Sequence, residues 1–318
     1  MKFRTFISNF FLLSLSIAFG IFISELIGKN IGLGDPILYK EDNLVGYRLR
    51  PNQSKKRLNN ANVSSDEEGF RFNPSEDKSL FADIIVFVGD SVTYGGSTID
   101  NSELFSTLYC DENKNLLCLN SGLNSWGTYN MGRFISNFSL YSSRVPQKFV
   151  LVITPGDDLR NLAIFRGLPF WNNSPKKPKA INELINYSLL KYVIPNLRSK
   201  EKLVSIDKYD LSKFKINQQT KIHAWEDLNN YLKLSNYDVD IVVTPPKAWF
   251  EKTEEFKYQI KSYDQFLYKI EKNKKVKNTC NLYYLIKDKY SPEDYLDHHH
   301  LSKKGHKKWA KNIKLCLN

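Results

Sequence analysis

Apolar and polar positions divide the chain into three stretches. The first is one long hydrophobic segment at residues 6–27 (FISNFFLLSLSIAFGIFISELI), interrupted by Asn9, scattered serines and a late Glu25. At ~1.5 Å per residue, about twenty such residues cross a bilayer core of ~30 Å. Nothing on the segment offers a polar face, which argues against a buried soluble helix. Residues 29–80 are rich in Asn, Lys, Gly and Pro with isolated aromatics (Tyr39, Tyr47, Phe70, Phe72), which predicts a linker and an irregular lead-in. From residue 81 short apolar, β-branched runs recur at 82–88, 115–119, 148–154, 239–244 and 281–286, and read as buried strands. Helical spacing separates them. Most clearly, Phe256, Ile260, Tyr263, Phe266, Leu267 and Ile270 fall on one helix face. Strands alternating with helices predict a parallel sheet of about five strands covered on both faces. Residues 160–235 break that rhythm with a Lys/Asn-rich stretch, expected to be an insertion over one sheet edge with helices near 181–197 and 223–236. The expected organisation is thus an anchor at 1–28, a linker and lead-in at 29–80, and an α/β domain at 81–318.

Charge orients the first segment. Lys2 and Arg4 precede it, so its start should stay in the cytoplasm and the remainder lie outside, on the periplasmic or outer side of a single-pass membrane protein. A cleaved signal peptide is the rival reading, with an apolar region of ~7–15 residues and a small-residue cleavage site. No A-x-A occurs, and Phe19, Ile21, Phe22 and Ile23 continue where such a site should turn polar, which favours the anchor. In 318 residues, 46 Lys and Arg stand against 34 Asp and Glu, a formal charge of +12. That excess favours anionic partners, but the basic residues are scattered and no nucleic-acid motif accompanies them, so nucleic acid is not expected. Cys110, Cys118, Cys280 and Cys316 make an even count in a chain expected outside the cytoplasm. Cys110 with Cys118 is the preferred pair, and buried thiols are the other reading.

In open α/β sheets, ligands bind beyond the carboxyl ends of the strands. The residues that follow the apolar runs are Gly89-Asp90-Ser91, then Asn120 to Gly127, then Gly156-Asp157-Asp158, and lastly Asp297-His298-His299-His300 before a terminal helix. A serine, two small-residue turns, a carboxylate pair and an Asp/His loop therefore converge on one rim. Serine is a weak nucleophile until a base takes its proton, and imidazole titrates near working pH. His300 is the candidate base for Ser91, and Asp297, three residues earlier, can accept the other ring N–H and fix the tautomer. Asp90 reads as a turn-stabilising residue.

Gly89-Asp90-Ser91 and Asp297-x-x-His300 resemble the first and last blocks of the SGNH (GDSL) hydrolase family, in the right order, over about residues 40–318. The resemblance implies a flavodoxin-like three-layer α/β/α fold and hydrolysis or transfer of acyl esters through a Ser91–His300–Asp297 triad. It also implies an oxyanion hole built from the Ser91 N–H, an N–H of the second block (Ser125, with Gly127 nearby) and a side chain of the third. There the sequence departs from the family, because Asp157 stands where an asparagine is expected, and an ionised carboxylate has no donor. Asp157 is then protonated, turned elsewhere, or a sign of weak catalysis.

Tyr94, Trp126 and Tyr129 are candidates for stacking on sugar faces. Lys247, after Pro245-Pro246, is a candidate to face the cleft. His223 and His306 read as helix-surface residues. No metal or other cofactor is expected, because adjacent imidazoles at 298–300 point different ways and no cluster completes a tetrahedral site. The expected function is a membrane-anchored serine hydrolase (an esterase) acting on acyl esters, O-acetyl or lipid, of envelope glycans or lipids. The alternatives are an O-acyltransferase to glycan using the same triad, and a catalytically degenerate glycan-binding or assembly protein.

Overall fold

The structure is a computed structural model, and it describes residues 2–72, 83–111, 115–160, 179–188 and 224–317. Helix α1 (Lys2–Asn30) carries the apolar segment, and the side chains of its middle stand exposed. Two short antiparallel hairpins follow, β1 (Tyr39–Asp42) with β2 (Gly46–Leu49) and β3 (Gln53–Lys56) with β4 (Asn62–Ser65). The lead-in is therefore more regular than its composition suggests. It buries Val45, Tyr47, Leu49, Val63 and Phe70 against the main domain.

The domain runs β5 (Asp83–Val88), α2 (Ser91–Tyr94), α3 (Phe105–Cys110), β6 (Leu116–Asn120), α4 (Thr128–Ser136) and β7 (Lys148–Ile153). It continues through α5 (Ala180–Ser188), α6 (Ala224–Leu234), β8 (Asp238–Val243), α7 (Lys247–Glu251), α8 (Thr253–Ile270), β9 (Val276–Asn281), α9 (Tyr283–Ile286) and α10 (Lys303–Leu317). Strands β5 to β9 form one parallel sheet in the order β6-β5-β7-β8-β9. In sheet numbering this is 2-1-3-4-5, the flavodoxin-like order. Alternation along the strands feeds two cores. Val86, Val88, Phe149, Leu151, Ile153, Val239, Ile241 and Val243 pack under the lead-in, α4, α6 and α8. Ile85, Phe87, Val150, Val152 and Val242 pack under α3, α9 and α10. The result is three layers, α/β/α.

The predicted strand at 281–286 is corrected. The fifth strand is Val276–Asn281, and Tyr283–Ile286 is a helical turn burying Tyr283 and Ile286. Strand β9 lies at the sheet edge with Lys277 and Asn278 exposed, so no apolar run marks it. Helix α6 stacks on α4 in the helical layer and leads into β8. Residues 189–197 of the first helix predicted in the insertion, and His223, lie outside the described residues. Disulfides join Cys110 to Cys118 and Cys280 to Cys316. The first ties α3 to β6 and the second ties β9 to α10.

Candidate active site

The sheet order reverses at β5, whose neighbours β6 and β7 are reached in opposite directions, and the crevice beyond its carboxyl end is where such folds bind ligands. Ser91 begins the helical turn there. Asp90 caps that turn, its Oδ1 accepting the Val92 N–H at 2.9 Å, which is the turn-stabilising role expected of it. Two glycines let the backbones close in. A Cβ on Gly89 would lie 2.1 Å from Thr93 Oγ1, and one on Gly122 would lie 2.2 Å from the Tyr94 nitrogen.

The loop before α10 brings the last block to Ser91. His300 Nε2 lies 2.9 Å from Ser91 Oγ, and His300 Nδ1 lies 2.7 Å from Asp297 Oδ2. Asp297 Oδ1 also accepts the N–H groups of His299 (2.9 Å) and His300 (2.8 Å), so one carboxylate shapes the loop and holds the ring. The Leu296 N–H donates to His300 O at 2.7 Å, the Tyr295 hydroxyl to Pro245 O at 2.7 Å, and the Lys247 N–H to His298 O at 3.0 Å. The side chain of Lys247 pairs with Glu251, so the backbone of Lys247 braces the loop.

Electrostatics follow the same contacts. The Asp297 hydrogen bond raises the His300 pKa above the ordinary 6.5, against a lowering by burial. Burial works to raise the Asp297 carboxyl, but its bonds to His300 and His299 outweigh that and hold it well below the carboxylate range. Burial lowers the His299 ring.

The oxyanion donors expected from the sequence fare unequally. The Ser91 and Ser125 N–H groups have no acceptor among the described residues, and Ser125 sits at φ +64, a left-handed turn. Gly127 is corrected: its buried N–H donates to Asn130 Oδ1 at 3.1 Å, which caps α4. Asp157 is corrected too. Its side chain is wholly buried, Oδ2 accepts the Thr154 N–H at 2.8 Å, and Arg160 Nη1 lies 3.0 Å from Oδ1 as an ion pair outside hydrogen-bond geometry. Burial and neighbouring Asp90 push its carboxyl well up, against the pull of Arg160. Asp157 thus braces the turn after β7, and Asp158 accepts from the Tyr263 hydroxyl at 2.8 Å. Asp157→Asn should therefore bring no gain in ester turnover, and a rise of ~10-fold or more would return the side chain to the oxyanion site.

Other expectations change. The Tyr94 and Trp126 rings are fully buried, packed in the core rather than open to a sugar, while Tyr129 packs edge-on against Tyr231. His306 is not on the helix surface. It is fully buried, stacked on Phe105, with Nδ1 accepting the Phe105 N–H at 3.1 Å, and burial lowers its pKa to about 3. Arg160, which the sequence did not single out, stands beside the site.

No family model matches the sequence, and no curated protein matches it. Similar solved structures include a lipolytic protein of the G-D-S-L family from Veillonella parvula, at 14% identity over 73% of this chain and 96% of that one, with a TM-score of 0.39. A lipase/acylhydrolase from Enterococcus faecalis is 13% identical over 73% of this chain and 94% of that one (TM-score 0.41). A variant of an acetyl xylan esterase from Geobacillus stearothermophilus is 11% identical over 75% and 95% (TM-score 0.44). Likeness of this degree leaves the chemistry to be read from the chain's own residues.

Proposed function

We propose that this protein is a membrane-anchored serine hydrolase of the SGNH type, acting on acyl esters. The observation that carries the reading is the relay Ser91 Oγ, His300 Nε2, His300 Nδ1, Asp297 Oδ2, with 2.9 and 2.7 Å at its two hydrogen bonds. Ser91 Oγ attacks the ester carbonyl carbon while His300 Nε2 takes the hydroxyl proton and Asp297 holds Nδ1–H. The oxygen that becomes negative is held by the Ser91 and Ser125 N–H groups. Collapse breaks the bond to the alcohol, which leaves with the proton from His300. Water, deprotonated by the same ring, then releases the acid from the acyl-serine. A sugar hydroxyl in place of that water gives an O-acyltransferase with the same residues. The degenerate alternative, a glycan-binding or assembly protein, predicts no ester turnover at all.

The purified full chain in detergent micelles should turn over nitrophenyl esters somewhere in the series from acetate to palmitate. Absence of turnover across the whole series would overturn the reading.

An ester of an envelope glycan or lipid, at the outer membrane surface, is the substrate class this placement favours. The Phe6–Asn30 helix is long and apolar enough to cross a bilayer. Its last turns dock on the domain. Glu25 Oε2 accepts the Ile181 N–H at 3.0 Å, Gly28 lies against Ala180, and Glu183 accepts the Gly34 N–H at 2.7 Å and pairs with Arg57. Tyr39, nine residues beyond Asn30, accepts from Asn124 Nδ2 at 2.9 Å, beside Ser125. Nine residues span at most ~32 Å, so the site stays near the membrane. The two disulfides support an oxidising compartment. Membranes washed with carbonate should retain the chain. A soluble mature form beginning near residue 28 would replace the anchor by a signal peptide.

A further inference from the structure

We propose that Arg160 is a positioning residue that clamps the loops bearing the Ser91 and Ser125 N–H groups and fixes a positive charge beside the oxyanion they hold. The proposal rests on the hydrolase reading above. With the Gly127 N–H donated to Asn130 and Asp157 turned inward, the side-chain donor expected in the third loop is missing.

Arg160 follows the turn Asp157–Leu159 after β7. Its Nη1 lies 3.2 Å from Asp90 Oδ2, 3.1 Å from Trp126 O and 3.0 Å from Asp157 Oδ1. Asp90 precedes Ser91, and Trp126 follows Ser125. One nitrogen therefore ties the loops leaving β5, β6 and β7, and it does so one residue away from each free N–H group. Gly127 makes room for this: a Cβ there would lie 2.7 Å from both Arg160 Cβ and Arg160 O.

The arrangement exceeds what a surface ion pair needs. Two fully buried carboxylates, Asp90 and Asp157, converge on one guanidinium whose side chain is still 37% exposed. Among the described residues, every hydrogen bond and ion pair of Arg160 is made by Nη1. Its charge is also felt at both site imidazoles, where it opposes protonation of His299 and His300. The planar guanidinium holds Nη1 in a fixed direction between the loops, whereas a lysine ammonium on its flexible stem is not held there.

The test uses Arg160→Met and Arg160→Lys in the full chain in micelles, with an uncharged nitrophenyl ester and kcat and KM followed against pH. His300 faces Asp297, Asp90, His299, His306 and Arg160. Removing the cation should therefore let His300 hold its proton to higher pH. For Arg160→Met, kcat should fall by about 100-fold with KM within ~3-fold, and the acid limb should move to higher pH. Arg160→Lys should lose most of the rate and keep the limb in place, because the charge stays and the clamp goes. It also serves as the test if Arg160→Met does not fold. A kcat within ~3-fold of wild type in the folded variants would overturn the proposal. So would a rate loss that comes with a lowered melting temperature and an unmoved acid limb in Arg160→Met, since that is a structural ion pair. Wild-type protein that neither turns over esters nor reacts with a fluorophosphonate removes the hydrolase reading itself, and the clamp with it.

Discussion

Replacing Ser91 by alanine should abolish covalent labelling by a fluorophosphonate and lower ester turnover by about 10⁴-fold or more. The Oγ removed is the atom 2.9 Å from His300 Nε2, and no other serine or threonine hydroxyl is hydrogen-bonded to a histidine ring among the described residues. His300→Asn should cost a similar factor, because nucleophile and base act as a unit. Asp297→Asn should cost less, since its role is to orient the ring and stabilise its charge. The pH dependence fixes the sign. The neutral ring is the base, so activity should rise with pH through the His300 pKa, which its bond to Asp297 places above the ordinary 6.5. Asp297→Asn removes that leading cause, so its acid limb should move to lower pH even as kcat falls. Equal labelling of Ser91→Ala, or a limb that moves up in Asp297→Asn, would mean that nucleophile or base has been misassigned.

What the sequence made legible follows from where the information sits. Strands β5, β6, β7 and β8 are buried on both faces, so their apolar runs show in one dimension, and the residues after them fall on one rim by topology alone. Ser91 was legible for that reason, and Asp297 and His300 by their three-residue spacing before the terminal helix. Strand β9 was not, because an edge strand with Lys277 and Asn278 exposed has no run to read. The hairpins of the lead-in were hidden too, since a four-residue polar strand such as Gln53–Lys56, paired with Asn62–Ser65, has no apolar run or alternation to read. His306 reads as a helix-surface residue, yet Trp309, Ala310 and Ile313 share its buried face at helical spacing. Side-chain direction was the least legible property. Asp157 and Arg160 are three residues apart, and nothing in their order says that the carboxylate turns inward while the guanidinium lies between the loops.

Arg71→Met should be the most destabilising single change in the lead-in, costing roughly 4 kcal/mol. The side chain is fully buried, and burial lowers its pKa. Its charge is instead spread over acceptors. Nε donates to Asn101 Oδ1 at 2.9 Å, Nη1 to Tyr94 O and, at 2.7 Å, to Gly96 O, and Nη2 to Ile99 O at 3.0 Å. The guanidinium also lies 4.7 Å from the Tyr94 ring centroid. Methionine fills much of the volume and leaves those oxygens without donors in a dry site, at ~1–3 kcal/mol each before relaxation. Lysine should not rescue, because one ammonium cannot reach acceptors set around a planar fork. Against a net stability of ~5–15 kcal/mol the loss is large, and thermal melting should fall by roughly 10 °C. The backbone of Arg71 pairs with Asn120 at the end of β6, and its side chain holds the turn at Gly95-Gly96 that closes the Ser91 helix. Turnover at low temperature should therefore fall along with stability. A melting temperature within ~2 °C of wild type would show that the lead-in covers the domain without bracing the turn behind Ser91.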